Sequence, residues 1–224
     1  MRLGAAMALG MALLAISVGC GSDSTLTTNV AQTAAPEPQS AAPESQGGTV
    51  AKQYPAPPEM SIDTAKTYQA VFTTNRGEMT VKLFADEVPI TVNNFVFLAR
   101  EGYYNDVVFH RIIKGFMVQG GDPTGTGRGD PGYRFKDEPV SRDYVRGTLA
   151  MANSGPNTNG SQFFLVHELA PLPKNYTIFG LITEGLDTLD GIANTPVGTS
   201  ASGEASQPTE RIFIESIEIV EVGS

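Results

Sequence analysis

The chain has 224 residues with 24 acidic against 15 basic side chains, a formal net charge of −9, and a single cysteine. That balance argues against nucleic acid or an anionic membrane surface as the main partner, because phosphate recognition needs clustered Lys and Arg. One cysteine excludes an internal disulfide, and two histidines beside a single cysteine are too few for a metal site, so none is expected.

Met1 to Val18 is nearly all apolar, with Arg2 as its one charge. It is long enough for a secretory signal and short for a membrane span. The run ends at Ser17-Val18-Gly19-Cys20. Small residues ahead of a cysteine, directly after an apolar core, resemble the lipobox of bacterial lipoproteins. The resemblance implies cleavage after residue 19 and a lipid on the Cys20 thiol, although Ser17 stands where an aliphatic residue is usual. An ordinary secretory signal is the alternative.

Residues 20–66 are rich in Ala, Ser, Thr, Gln, Glu and Pro, with no periodic apolar residues, and read as a disordered tether. Its prolines, from Pro36 to Pro58, favour extended backbone, and such a coil would reach ~35–40 Å on average.

Residues 67–222 are the expected folded domain. Tyr68–Thr74 and Met79–Phe84 read as a hairpin around Asn75-Arg76-Gly77-Glu78. Pro89–Glu101 reads as a helix with proline in its first turn, a face of Val92, Phe95, Val96 and Ala99, and Gly102 closing it in the left-handed region. Val107–Val118, Thr148–Ala152, Phe163–Val166 and Thr177–Ile182 are strand-like, and Gly185–Ala193 reads as a second helix. In the last strand Ile212 and Ile214 alternate in one phase and Ile217 and Ile219 in the other, which predicts a bulge at Glu215-Ser216. Periodicity goes as far as an all-β barrel or sandwich with two helices.

Two runs say more. Val108-Phe109-His110-Arg111-Ile112-Ile113-Lys114-Gly115-Phe116-Met117-Val118-Gln119-Gly120-Gly121-Asp122 is followed by Met151-Ala152-Asn153 and Asn157-Thr158-Asn159-Gly160-Ser161-Gln162-Phe163-Phe164. In this order and spacing they resemble the cyclophilin family of peptidyl-prolyl cis/trans isomerases. The resemblance covers the folded part alone. It implies a closed eight-stranded antiparallel β-barrel with two capping helices, and an enzyme that needs no cofactor.

An X-Pro bond rotates slowly because its C–N bond has double-bond character, with a barrier of about 18–20 kcal/mol. Twisting localises the nitrogen lone pair, so a catalyst needs a donor aimed at that nitrogen, a grip on the carbonyl and an apolar seat for the ring. By resemblance Arg111 is the catalytic donor, and Phe116, Met117, Phe164 and Leu172 form the pocket. Gln119 and Gln162 hold the arginine and the substrate carbonyl, and the backbone of Ala152 and Asn153 binds the residues before proline. Gly125 is the expected contact from the Thr124–Gly127 loop. Taken singly, Arg111 reads as an arginine paired with a surface carboxylate, and the apolar residues as plain core.

Two positions depart from the best-known eukaryotic pattern. Pro171 stands in the place of a tryptophan, which puts cyclosporin sensitivity in doubt, and Tyr176 stands in the place of a pocket histidine. His110 reads as a structural histidine bonded to backbone, and Arg128-Gly129-Asp130 as a chance adhesion tripeptide. The expectation is a monomeric isomerase, lipid-anchored outside the cytoplasm or else secreted, acting on proline-containing envelope or secreted polypeptides. A non-catalytic proline-peptide binding module using the same groove is the alternative.

Overall fold

The computed structural model describes residues 52–222. The expected signal segment, Cys20 and the part of the expected tether up to residue 51 lie outside them.

Alternation builds the first hairpin. In β1 (Thr67–Thr74) Tyr68, Ala70, Phe72 and Thr74 face inward, as do Met79, Val81 and Leu83 of β2 (Gly77–Leu83). Helix α1 (Pro89–Arg100) buries Val92, Phe95, Val96 and Ala99, as expected. Val88 precedes its proline and offers no side-chain cap. The carboxylate of Glu138 supplies one instead, accepting from the Ile90 and Thr91 amides at 3.1 and 2.7 Å and placing negative charge at the positive end of the helix. Gly102 leaves the helix at φ +64.

The stretch expected as one strand from Val107 to Val118 is a hairpin of β3 (Arg111–Ile113) and β4 (Met117–Gly120). Gly115, at φ +81, makes the reversal that an L side chain resists. Its amide donates to Nδ1 of His167 at 3.0 Å. There follow β5 (Thr148–Met151), β6 (Phe163–Val166), β7 (Ile178–Glu184), α2 (Leu186–Ala193), β8 (Val197–Thr199), β9 (Ala205–Pro208) and β10 (Ile214–Val222). The β8–β9 hairpin has too short and polar a pattern to be legible in sequence.

Eight strands form one antiparallel sheet in the order β10-β1-β2-β7-β5-β6-β4-β3. The bulge is where the isoleucine phase change puts it: Thr73 faces Ser216 while Thr74 faces Ile214, leaving Glu215 extra. A closed barrel is realised only in part. The sheet curls, but its edge strands β3 and β10 form no continuous ladder. A lone bridge, Val108 to Phe213, and bonds such as Phe109 N–H to Ile212 O at 2.9 Å span the seam. Helix α1 lies on β10, and α2 lies on β2 and the β3–β4 hairpin.

Residues 52–66, expected as tether, belong to the folded domain. From Lys52 the chain lies against the domain: Tyr54 donates its amide to Pro131 O at 2.8 Å and sets its ring 5.1 Å from that of Phe97. The Asn93 side chain accepts from the Ser61 and Ile62 amides. Isolated anchors of this kind carry no periodicity, so composition alone misassigns the segment.

Candidate active site

Strand pairing sets the site. In β3–β4 Arg111 faces Gln119, and in β4–β6 Gln119 faces Phe164. Directly paired residues project to the same side of a sheet, so these three stand in one row, with Met117 two positions along on the same face. Arg111 Nη1 lies 3.4 Å from Gln119 Oε1 and 3.7 Å from Met117 Sδ.

The row borders a cavity of about 180 Å³ lined by Arg111, Phe116, Met117, Gln119, Ala152, Asn153, Phe164, Leu172 and Tyr176. Met117 and Phe164 are 1% and 5% exposed and make an apolar floor. Leu172 and Tyr176 come from the loop between β6 and β7, and that loop is fixed at several points. Tyr144 bonds both backbone groups of Tyr176, at 2.9 and 3.1 Å, and Asn153 Nδ2 donates to Asn175 O at 2.9 Å. The Tyr176 ring stands edge-on to Phe164, centroids 5.6 Å apart. The result is a preformed apolar seat with one cationic donor at its wall.

A second depression of about 420 Å³ adjoins it, sharing Gln119, Ala152 and Asn153 and adding polar groups such as Arg134, Ser154 and Thr158. Gln162 lines this part. It accepts from Gln119 Nε2 at 3.1 Å and donates to Gly129 O at 2.9 Å. A side-chain relay therefore runs from Arg111 through two glutamines to the backbone.

Two expectations need correction. Gly125 does not reach the cavity; it lies against Val108, beside a different depression that includes His110 and Gln207, because the Asp122–Gly129 loop folds back on itself. His110 makes no structural bond through Nδ1, which is buried without a partner, and burial holds its pKa below the ordinary value. The backbone-bonded histidine is His167, just past the end of β6, which accepts from the Gly115 amide of the β3–β4 turn.

Arg111 also has the carboxylate partner that the residue taken singly suggested. Its Nε and Nη2 donate to the two oxygens of Glu204 at 2.6 and 2.8 Å. The bonds from Arg111 hold the Glu204 carboxyl down at about 2. Glu204 comes from the β8–β9 loop, 93 residues away, and no local pattern points to it.

Comparison with known proteins agrees with this geometry. Residues 69–219 match the family described as cyclophilin type peptidyl-prolyl cis-trans isomerase/CLD. The chain belongs to that family. It is 45% identical over 152 residues to rat peptidyl-prolyl cis-trans isomerase-like 3, covering 65% of this chain and 92% of the relative. The crystal structure of a Cryptosporidium parvum cyclophilin type isomerase is 38% identical, with a TM-score of 0.63 and coverage of 70% of this chain and 99% of that one. The same protein solved in the presence of the dipeptide Ala-Pro is 39% identical, also at TM-score 0.63, covering 68% and 98%. The activity is that of a peptidyl-prolyl cis-trans isomerase.

This cyclophilin holds its groove loop with a buried carboxylate. Asp122 is fully buried and accepts from the Thr124 amide and hydroxyl at 2.7 and 2.8 Å and from the Gly129 amide at 3.1 Å. Burial works to raise its pKa, but the Thr124 and Gly129 bonds outweigh it, and the carboxyl titrates below its ordinary value. A depressed carboxyl stabilises the fold above its unfolded pKa and loses that contribution as pH falls through the folded one. Asp122→Ala is expected to cost roughly 2–4 kcal/mol at neutral pH, since it strands buried donors. The gap to wild type should narrow in acid melts below about pH 4; a gap that stays constant would show that the charge is irrelevant. With Gly129 bonded at both its N–H and C=O, the Arg128-Gly129-Asp130 tripeptide is committed to this loop, which disfavours an adhesive role.

Proposed function

We propose that the 180 Å³ cavity takes the proline ring of an extended polypeptide, that Arg111 stabilises the twisted X-Pro amide, and that a lipid on Cys20 holds the enzyme outside the cytoplasm. One observation carries the catalytic part: Arg111, Phe116, Met117, Gln119, Phe164, Leu172 and Tyr176 surround a single cavity, with Nη1 of the guanidinium turned toward it. The ring sits on Met117 and Phe164, and the flanking chain continues past Ala152 and Asn153 into the polar depression. The Ala-Pro dipeptide used with the Cryptosporidium protein is the size of ligand such a seat would take.

The catalysis needs no nucleophile or proton shuttle. Rotation makes the prolyl nitrogen more basic, and an N–H donor aimed at it is bonded more strongly in the twisted state than in either planar one. Envelope and secreted proteins would be the clients, because uncatalysed isomerisation takes tens of seconds and limits folding.

Isomerisation of an X-Pro peptide by the full chain, with Arg111→Ala and Leu172→Ala beside it, tests the roles. The first variant should lose rate and the second chiefly peptide affinity. Matching losses of rate and affinity in both would leave a binding module. Anchoring is tested by growth with labelled fatty acid: the wild type should carry label and Cys20→Ser should not. Unlabelled wild type would mean an ordinary secretory signal.

A further inference from the structure

The second partner of Arg111 has no place in the mechanism above. Glu204 sits in the loop joining β8 and β9, whose ends are tied by Ser200 N–H to Glu204 O at 2.7 Å and Gly203 N–H to Ser200 O at 2.9 Å. Strand β9 lies against β3, the strand that carries Arg111. The carboxylate takes Nε and Nη2 in a fork-to-fork pair and leaves Nη1 to face Gln119 and Met117 at the cavity.

An arginine side chain has several free rotors, and most of its conformers aim no N–H at the cavity. The bidentate geometry selects one, because a planar guanidinium and a planar carboxylate align in a single plane. Gln119 alone, at 3.4 Å from Nη1, is too long a contact to do so. Neutralising the arginine costs the reaction little. The twisted amide gains basicity at nitrogen but no net charge, so the direction of the donor counts for more than the field of a free cation.

We propose that Glu204 is a positioning residue for the isomerisation, holding Arg111 with one edge committed and Nη1 presented to the prolyl nitrogen. This rests on the reading of Arg111 as the donor. The β8–β9 loop thereby acts on rate without touching the substrate.

The test uses the full chain with an X-Pro peptide and four variants: Glu204→Ala, Glu204→Gln, Arg111→Ala and the Arg111→Ala/Glu204→Ala double. Glu204→Ala should lower kcat roughly ten-fold with KM unchanged, the scale of freeing one long side chain. Glu204→Gln keeps the shape and one acceptor and should recover part of the loss. On the Arg111→Ala background, removing Glu204 should change nothing further. The Arg111 Nε–H resonance reports independently of turnover, slow to exchange with solvent in the wild type and fast in Glu204→Ala. Unchanged or raised kcat, or an equal additional loss on the Arg111→Ala background, would overturn the proposal while leaving Arg111 as donor. Full activity in Arg111→Ala would overturn both. Melting curves of all four guard against a fold effect, and a Glu204→Gln variant as stable as wild type yet showing neither kcat loss nor faster exchange also counts against it.

Discussion

Replacing Arg111 with alanine is expected to lower kcat/KM for an X-Pro peptide roughly 10²–10³-fold, the scale seen when one preorganised transition-state donor is removed. Among the described residues Arg111 is the only cationic side chain lining the apolar cavity, so its loss removes the one charged donor to the twisted nitrogen. Peptide affinity should stay near that of wild type, because the ring rests on Phe116, Met117, Phe164 and Leu172 rather than on the guanidinium. Stability should also hold. The Arg111–Glu204 pair is about a third exposed on each side, and such pairs contribute about 0–1 kcal/mol. Steady-state kinetics, a titration of the peptide and a melting curve separate the three quantities. A loss of rate matched by an equal loss of affinity would make Arg111 a binding residue only.

Phe95→Ala should show the opposite pattern. Phe95 is 0% exposed, and its ring lies 5.2–5.9 Å from the rings of Phe72, Tyr104, Phe163 and Phe179. It is the common member of an aromatic cluster between α1 and the sheet. Truncation removes a large buried side chain and leaves a void that rigid rings collapse into poorly, costing ~3–5 kcal/mol. For a domain of this size that corresponds to a fall in melting temperature of about 6–20 °C. Activity per folded molecule, measured well below the transition, should be nearly unchanged because Phe95 does not line the cavity. A melting point within about 2 °C of wild type would mean that the cluster repacks around the gap.

Much of this protein was legible in its sequence where the governing interactions are local or periodic. Alternation placed the strands, the apolar face and Pro89 placed α1, and the change of isoleucine phase located the bulge at Glu215. The two long motifs held most of the residues that line the cavity, all but Leu172 and Tyr176, because strand pairing converts short spacings into neighbours: Arg111, Gln119 and Phe164 meet by register. Loops defeated the same reasoning. The family resemblance puts Gly125 in a loop flanking the groove, yet Asp122 draws that loop back by bonds to Thr124 and Gly129. Residues 52–66 look like tether but dock through single anchors that make no pattern.

By itself, then, the sequence determined most of the elements, the core faces and the family, and pointed to most of the residues that line the cavity. Only the tertiary structure decided which distant carboxylates serve them: Glu138 caps α1 from 48 residues away, and Glu204 grips Arg111 from 93. An isolated glutamate in a polar stretch has no periodicity to betray its partner, and its role exists only once the chain has closed the loop between them.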